Sequence, residues 1–237
     1  MNFLIKIIDY QYHKKKYSFL RNEIKNINVF FDIGAHHGET VRDFLKNFSI
    51  DKIYSFEPSN NNFDKLKCKI KDIKKKYPLV NIEIFNCGLG QKNETLSLNE
   101  ISDGESNTFN DLNLESKYFK RKKVITTLFG IKKFFRSKTS TNVITLKKFI
   151  QENQIEKIDF IKIDTEGFEY NVLLGLDDYI ENVSFILFEH HYDNMIIKNY
   201  KFSDIHKLLV NNGFERIYKT KMPFRKSFDY IYKKKLI

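Results

Sequence analysis

Residues 28–39, NVFFDIGAHHGE, decide the fold of this chain. The stretch begins with a largely apolar run, Val29 to Ile33, which is typical of a strand buried on both faces of a parallel sheet. Glycines follow at positions 34 and 38, and a helical pattern begins after the second of them. A strand, a glycine turn and a helix are typical of a site for a nucleotide-type cofactor, because glycine lets a ligand approach the backbone and the helix start provides free N–H groups.

The composition of this turn favours one class of cofactor. A dinucleotide fingerprint, G-x-G-x-x-G, brings the backbone against a pyrophosphate, but His36 stands where the middle glycine would be. No lysine or arginine lies between Asp32 and Val41, whereas Asp32 and Glu39 flank the turn. An NAD-dependent oxidoreductase is therefore disfavoured. The turn suits a cofactor with a positively charged amino-acid end and no phosphate, of which S-adenosylmethionine is the common example.

A second predicted strand, residues 52–56, ends in an acid. Glu57 lies 23 residues after Gly34, close to the ~20-residue offset at which an acid accepts hydrogen bonds from ribose hydroxyls. We therefore predict that Glu57 binds the ribose of the cofactor. The alternative is an ordinary acid at the end of a strand.

Two strands in the second half of the chain also end in polar residues. The strand 158–163 runs into Asp164 and Glu166, and the strand 183–188 runs into Glu189 and His191. Ligands bind at the carboxyl ends of parallel strands, so these side chains are candidates for catalysis. His191 or Asp164 is the preferred general base, because a neutral imidazole or a desolvated carboxylate accepts a proton near pH 7. The alternative is that these residues cap helices or lie on a surface loop.

A metal site is a further alternative at these strand ends. Asp164, Glu189 and a histidine could hold Mg²⁺, which prefers oxygen ligands. The chain has no dense ligand motif, so the prediction is that no metal takes part.

The net charge of +11 is unevenly distributed. Residues 117–138 hold nine Lys and Arg and no acid, and residues 1–25 and 216–235 are also positive, so the rest of the chain is net −9. Two explanations of this pattern are open. One is compositional bias, and the other is that the basic segments attract an anionic or surface-bound acceptor. A non-catalytic binder of anionic membrane or nucleic acid would rest on charge alone. No nucleic-acid partner is expected, since no RNA-recognition signature is present.

The cysteines and the apolar runs indicate the compartment. Cys68 and Cys87 lack the spacing of a metal or disulfide framework. No run approaches the ~20 apolar residues of a membrane span, and no signal peptide is recognised at the N-terminus. We expect a cytoplasmic protein. A peripheral membrane contact through residues 3–24 is a weaker alternative.

Taken together, these segments resemble the FkbM-type S-adenosylmethionine-dependent methyltransferases. The matching residues run from 28 to 190, and residues 158–169, with Lys162, Asp164, Glu166 and Glu169, are the most specific of them. The others are Asp32-Ile33-Gly34-Ala35 with Gly38, Phe56-Glu57-Pro58, Asn86 with Gly88-Leu89, Ile144-Thr145-Leu146 and Phe188-Glu189. Two departures are His36-His37, where the family usually has Asn and a variable residue, and Lys147-Lys148, where it often has an Asp.

The resemblance implies a Rossmann-like class I methyltransferase fold, α/β, with a mostly parallel seven-stranded sheet, an antiparallel last strand and helices on both faces. The roughly helical spacing of apolar residues in 3–24 predicts residues 1–27 as an N-terminal helical extension. Residues 28–237 are then the methyltransferase domain, with a basic insertion at about 100–140 that the resemblance does not cover. The resemblance also implies methyl transfer to a hydroxyl of a sugar, glycan or related small molecule. The predicted cofactor-binding residues are Asp32, Gly34, His36, Gly38, Glu57, Asn86 and Asp164, and the predicted catalytic residues are Asp164, Glu166, Glu189 and His191.

Overall fold

The computed structural model describes residues 3–101, 106–128, 135–223 and 225–235. Strands and helices alternate along most of this chain. The strands are β1 (Ile27–Ile33), β2 (Ile50–Phe56), β3 (Asn81–Phe85), β4 (Gly88–Leu89), β5 (Glu94–Ile101), β6 (Phe135–Ile144), β7 (Ile158–Ile163), β8 (Val183–His191), β9 (Phe214–Lys221) and β10 (Ser227–Lys234). The helices are α1 (Phe3–Glu23), α2 (Glu39–Asn47), α3 (Asn60–Lys76), α4 (Lys117–Leu128), α5 (Leu146–Glu152), α6 (Glu169–Leu174) and α7 (Phe202–Asn211), with a 3-10 helix at Asp177–Asn182.

Seven strands form the main sheet, in the order β3-β2-β1-β7-β8-β10-β9. The first five of these are parallel to one another. Strand β10 is antiparallel to both β8 and β9. The predicted fold class is therefore confirmed, including the antiparallel last strand.

Strand β1 shows why the apolar run at its centre is continuous. Successive side chains of a strand point to opposite faces, and both faces of β1 are covered. Phe30 stacks on Phe44 of α2, with ring centroids 4.3 Å apart. Phe31 points to the other face and meets Phe149 of α5 at 5.9 Å. Helices α1, α2 and α3 pack on the first face and α5, α6 and α7 on the second.

The segment expected to be an insertion is partly regular. Strands β4, β6 and β5 form a second, three-stranded sheet, in which Gly88–Leu89 is a short strand. Helix α4 also lies in this segment. Phe119 of α4 is buried against Met195 and Ile196, which follow β8. The remaining parts of the basic segment, 129–134, lie outside the described residues.

Helix α1 is tied to the last strand by a buried polar contact. The Tyr12 hydroxyl donates to the Asp229 carboxylate at 2.6 Å, and Lys16 Nζ donates to the same carboxylate at 2.7 Å. All three residues are buried, so the charges of Lys16 and Asp229 compensate each other away from water.

Among the residues that the structure describes, no helix has both the length and the apolar character required to cross a bilayer.

Candidate active site

A cavity of about 350 Å³ lies at the carboxyl ends of β1, β2 and β7. Strand β1 lies between the other two and all three run parallel, so their ends meet at one edge of the sheet. Predicted site residues that line this cavity are Gly34, His36, Glu57, Asp164 and Glu166.

Gly34 is required by the backbone on which the site is built. Its φ is +78°, a left-handed conformation that glycine adopts without strain. A Cβ at this position would overlap the carbonyl oxygen of Asp164 at the end of β7. The absent side chain therefore lets β1 and β7 approach each other, in addition to leaving room for a ligand.

Glu57 is held by two backbone donors at the end of β2. The N–H of His36 donates to Oε2 at 2.8 Å and the N–H of Ser59 donates to Oε1 at 3.0 Å. Burial raises the pKa of Glu57 to about 7, although these two donors oppose the shift. Each carboxylate oxygen can accept a second hydrogen bond, so the group is still able to receive ribose hydroxyls.

Asp32 contributes to the site through a lysine. Its carboxylate is fully buried, and burial raises its pKa to about 6, opposed by Lys162. Lys162 Nζ lies 3.6 Å from Asp32 Oδ1 and 3.3 Å from Asp164 Oδ2. Burial would raise the pKa of Asp164, but Lys162 and then His191 outweigh it and lower that pKa. Asp164 is thus an ionised carboxylate at neutral pH, with 32% of its side chain exposed.

The loop between Asp164 and α6 is shaped by Glu169. This fully buried carboxylate accepts hydrogen bonds from the N–H of Thr165 at 3.2 Å, the N–H of Gly167 at 2.8 Å and the Tyr200 hydroxyl at 2.6 Å. Glu166 has a φ of +50°, which is uncommon for a residue with a side chain. Glu169 therefore holds Glu166 in its position at the cavity wall.

His191 lies among three carboxylates. Its Nε2 is 3.2 Å from Glu166 Oε2 and 3.2 Å from Glu189 Oε1, and its Nδ1 is 3.5 Å from Asp193 Oδ2. Burial alone would lower the pKa of His191, but Glu166, Asp193 and Glu189 outweigh it and raise that pKa to about 10. His191 is an imidazolium at neutral pH, which argues against the preferred assignment of His191 as general base. The neighbouring His190 is buried and stays neutral, because burial lowers its pKa to about 3.

Glu189 lines a second cavity of about 120 Å³ beneath α1. Burial and then Asp164 raise the pKa of Glu189 to about 8. Its Oε1 accepts no hydrogen bond from the described residues. The two cavities share the wall residues His13, Glu39, Thr40, Lys162 and Asp164. They are therefore adjacent, with Asp164 between them.

Some predicted site residues line neither cavity: Asp32, Gly38, Asn86 and His191. Gly38 has a φ of +85°, and a Cβ there would crowd Leu66 of α3. The Asn86 side chain donates to the backbone oxygen of Glu57 at 2.9 Å. These residues position the site and lie behind its surface.

The structure adds residues that sequence reasoning did not select. Asn107 and Phe109 line the larger cavity, and their neighbours hold the loop after β7. The Thr108 hydroxyl donates to the backbone oxygen of Glu166 at 2.7 Å, and Asn110 Nδ2 donates to that of Gly167 at 2.6 Å. His13 and Arg225, from opposite ends of the chain, also line the cavity. No periodic pattern or motif marks any of them.

The larger cavity fits S-adenosylmethionine. Cys87, Leu89, Leu98 and Phe109 give it an apolar side suited to adenine. Glu57 could accept hydrogen bonds from the ribose hydroxyls. Asp164 could offer a negative charge to the amino group of the methionine end, and Arg225 and Lys162 could offer positive charge to its carboxylate.

Solved structures share the fold. Methyltransferase FkbM from Methylobacillus flagellatus KT is 13% identical, with a TM-score of 0.53, and the match covers 87% of this chain and 44% of that one. A protein of the NADB-Rossmann superfamily from Streptococcus agalactiae is 13% identical, with a TM-score of 0.51 and coverage of 93% and 68%. Magnesium protoporphyrin IX methyltransferase from Synechocystis PCC 6803, solved with bound SAM, is 10% identical, with a TM-score of 0.51 and coverage of 99% and 85%.

At these identities the likeness concerns the fold alone, and the chain spans less than half of the Methylobacillus protein. No curated protein matches this sequence. The family described as Methyltransferase FkbM domain matches residues 32–216. Since that match spans well over half of the chain, the protein belongs to the FkbM family of methyltransferases.

Proposed function

We propose that this methyltransferase transfers the methyl group of S-adenosylmethionine to a hydroxyl of a sugar, glycan or related small molecule. S-adenosylmethionine is the cofactor that membership of the family implies. The observation that supports the proposal best is the pair of adjacent cavities with Asp164 in their common wall. The larger would hold the donor and the smaller would receive the acceptor hydroxyl.

When bound, the cofactor would supply a methyl group on a positively charged sulfur; the acceptor oxygen would bond to the methyl carbon in line as the carbon–sulfur bond breaks, with S-adenosylhomocysteine as the leaving group. The protein has to align the two partners and accept the proton of a weakly acidic hydroxyl. The shared wall is suited to this alignment, because an acceptor hydroxyl in the smaller cavity would lie beside Asp164, on the other side of which the larger cavity would hold the cofactor.

Glu189 is the general base in this proposal. A base works best when its pKa lies near the working pH, and the pKa of Glu189 is raised to about 8. His191 becomes a positioning residue, since its positive charge holds Glu189 and Glu166 at 3.2 Å each. Asp164, kept ionised by Lys162, orients the acceptor or the amino group of the cofactor.

The charge of the smaller cavity favours a hydroxyl over a phosphate. The acidic side chains of Glu39, Asp43, Asp164, Glu189 and Asp229 line it, against the cations of Lys16 and Lys162. A phosphate inside this cavity would be repelled, whereas a hydroxyl can donate to a carboxylate. An anionic part of the acceptor would therefore stay outside, near the basic segment. Nucleic acid is not proposed as a partner.

A cytoplasmic location is part of the proposal. The two cysteines are free, Cys87 is buried and Cys68 is exposed, as is typical of a reducing compartment.

The test is incubation of the purified protein with S-adenosylmethionine and a panel of sugars, glycans and hydroxylated lipids, with release of S-adenosylhomocysteine as the readout. We expect release with one class of hydroxyl compound, and the methyl ether is identified by mass spectrometry. Release with amines or RNA alone would contradict O-methylation. Tight NAD binding without S-adenosylhomocysteine binding would contradict the assignment of the cavity.

The first prediction concerns the ribose anchor. Glu57→Gln keeps the size of the side chain but removes its charge, so hydrogen bonds from ribose hydroxyls lose a charged acceptor, at about 1.5–3 kcal/mol in total. We expect the Kd of S-adenosylhomocysteine, measured by calorimetry, to rise about 10- to 150-fold. The wild-type Kd should fall as pH rises through about 7, because ionisation of Glu57 strengthens these bonds.

Glu100→Gln is the matched control for this prediction. Glu100 is also buried and accepts hydrogen bonds from Ser59 at 2.6 Å and Ser137 at 2.9 Å, but it does not line the cavity. Its substitution is expected to leave the Kd within a factor of two or three of wild type. Equal effects of the two substitutions would show that Glu57 acts through folding.

The second prediction concerns the basic segment 117–138. If it guides an anionic acceptor, the acceptor KM rises steeply with salt, since the screening length falls from ~30 Å at 0.01 M to ~8 Å at physiological ionic strength. Replacing the exposed Lys120, Arg121 and Lys123 of α4 with serine should flatten this dependence. The Kd of S-adenosylhomocysteine should barely change.

The matched control removes Lys71, Lys74 and Lys75 from α3. These are also three exposed cations, and Lys75 pairs with Asp72 as Lys120 pairs with Glu115. The control should keep the salt dependence of the wild type. Equal changes of the acceptor KM in both triple variants would show that net charge alone matters. If the dependence of KM on salt is unchanged in both, the basic segment does not guide the acceptor and compositional bias is supported.

A further inference from the structure

We propose that His36, His37 and Glu39 form a binding site for a divalent transition metal of the zinc type at the wall of the larger cavity. Their imidazole nitrogens and carboxylate oxygens lie within 4.8 Å of one another. Two histidines and one glutamate are a ligand set that zinc takes in catalytic sites, where a fourth position remains open.

The distances between the donor atoms suit a tetrahedral ion. His36 Nδ1 lies 3.4 Å from Glu39 Oε2, and His37 Nδ1 lies 3.8 Å from Glu39 Oε1. Ligand atoms about 2.0–2.1 Å from a tetrahedral zinc ion are about 3.4 Å from one another. Two of the three ligand pairs are therefore near the spacing of a zinc site, and the third lies within 4.8 Å, so side-chain rotation would be needed to close the site around an ion.

A hydrogen bond behind the site fixes the protonation of one ligand. His37 Nε2 lies 3.2 Å from Oδ1 of Asn62, a buried side chain, and an amide oxygen only accepts. Nε2 therefore carries the proton of the neutral ring, which leaves the Nδ1 lone pair directed toward the Glu39 carboxylate. Metal-ligating histidines usually donate their other N–H in this way.

The backbone that carries the three ligands is already ordered. The N–H of His36 donates to Glu57 Oε2 at 2.8 Å, and the N–H of His37 donates to Glu39 Oε2 at 3.2 Å. The two imidazole rings stack with centroids 3.5 Å apart, so one ring would have to rotate before both nitrogens could face the same ion. Binding an ion would thus require side-chain rotation on an ordered backbone.

The ligand types select the class of metal. Imidazole suits zinc, cobalt, nickel and copper, whereas Mg²⁺ prefers oxygen ligands and water. This site is distinct from the alternative Mg²⁺ site of Asp164, Glu189 and a histidine, with which it shares neither carboxylate. His36 and Glu39 line the larger cavity, so an open coordination position there would be available to a bound molecule.

The experiment is a Co²⁺ titration of the full chain after removal of metals with EDTA and dialysis. We expect one equivalent of Co²⁺ to bind, with visible absorption bands of a tetrahedral ion, and Zn²⁺ to displace it. His37→Asn should abolish the bands but leave S-adenosylhomocysteine affinity unchanged, because His37 does not line the cavity. Asn62→Leu should weaken Co²⁺ binding about 10- to 100-fold through the orientation of His37.

His206→Asn is the control for adventitious binding by a histidine. His206 Nδ1 lies 2.8 Å from the Tyr232 hydroxyl, on the other face of the sheet, so its removal should leave the titration unchanged. Thermal melting checks that each variant is folded. Absence of stoichiometric Co²⁺ binding, or bands that persist in His37→Asn, would overturn the proposal. Either outcome leaves methyl transfer untouched, since the readout is metal binding itself.

Discussion

Turnover of Glu189→Gln is expected to fall by ~10²–10⁴-fold, the usual range for the loss of a positioned proton acceptor. Glutamine has the size of glutamate but cannot take the proton of the acceptor hydroxyl. In the wild type, kcat/KM should increase as pH rises through about 8 and then level off, because Glu189 must lose its proton before it can act. In the variant this increase should disappear. Both are measured with the acceptor that the panel identifies.

Asp193→Asn is the control for this expectation. Asp193 contacts His191 from the side opposite to Glu189, at 3.5 Å, and lines neither cavity. Its loss should lower turnover less than tenfold, since the base remains. A comparable loss in both variants would assign the effect to the charge of His191. A melting temperature that falls together with activity would instead make Glu189 structural.

The stability of the fold gives an independent check on Glu189. Its pKa is higher in the folded chain than the ordinary value of 4.5, so its favourable contribution is complete below about pH 4.5 and is lost as pH rises through about 8. Glu189→Gln mimics the neutral form. The variant should therefore gain stability relative to wild type as pH increases from 6 to 9, which thermal melting would detect.

The Gly34→Ala variant is expected to have a lower free energy of unfolding than any other single-substitution variant at the site. The left-handed backbone alone costs an alanine about 1–2 kcal/mol. In addition, the new Cβ would overlap the Asp164 carbonyl oxygen, so the ends of β1 and β7 would have to separate. We expect a loss above about 4 kcal/mol, which only severe mechanisms produce. Binding of S-adenosylhomocysteine should be lost as well.

Gly213→Ala separates the two contributions. Gly213 has nearly the same φ, +76°, but a Cβ there would meet only the side chain of Lys234, at 3.7 Å or more. The Gly213→Ala variant should therefore lose only the free energy that the left-handed conformation costs an alanine. Denaturant unfolding of both variants measures the two losses. Equal losses in the two variants would mean that the β1 and β7 ends adapt, and that Gly34 serves conformation alone.

The sequence predicts the fold because its central parallel strands are short, largely apolar runs that end in a glycine or an acid. Val29 to Ile33 and Ile158 to Ile163 are largely buried on both faces. Their apolar runs therefore identify them as central strands before any neighbouring strand is known. The order of the strands then brings Gly34, Glu57 and Asp164 to one cavity. These residues are predictable because they stand at strand ends, where position along the chain determines position in space.

The protonation states could not be predicted in this way. His191 was a plausible base because an isolated imidazole titrates near pH 6.5. Its charge depends on Glu166 and Asp193, whose approach is set by the loop after β7 and by the turn after β8. The contacts of Thr108 and Asn110 with that loop were likewise unpredictable, since a polar segment without periodicity does not indicate what it will touch.

The buried link between α1 and Asp229 has a consequence for synthesis of the protein. Tyr12 and Lys16 leave the ribosome well before their partner, which lies 217 and 213 residues further along the chain. Until β9 and β10 have emerged, α1 lacks Asp229 as the partner of Lys16 and lacks Tyr218, on which Phe19 stacks. A nascent chain stalled before β10 should therefore bind chaperones through α1 and remain sensitive to protease there, whereas the released chain should resist.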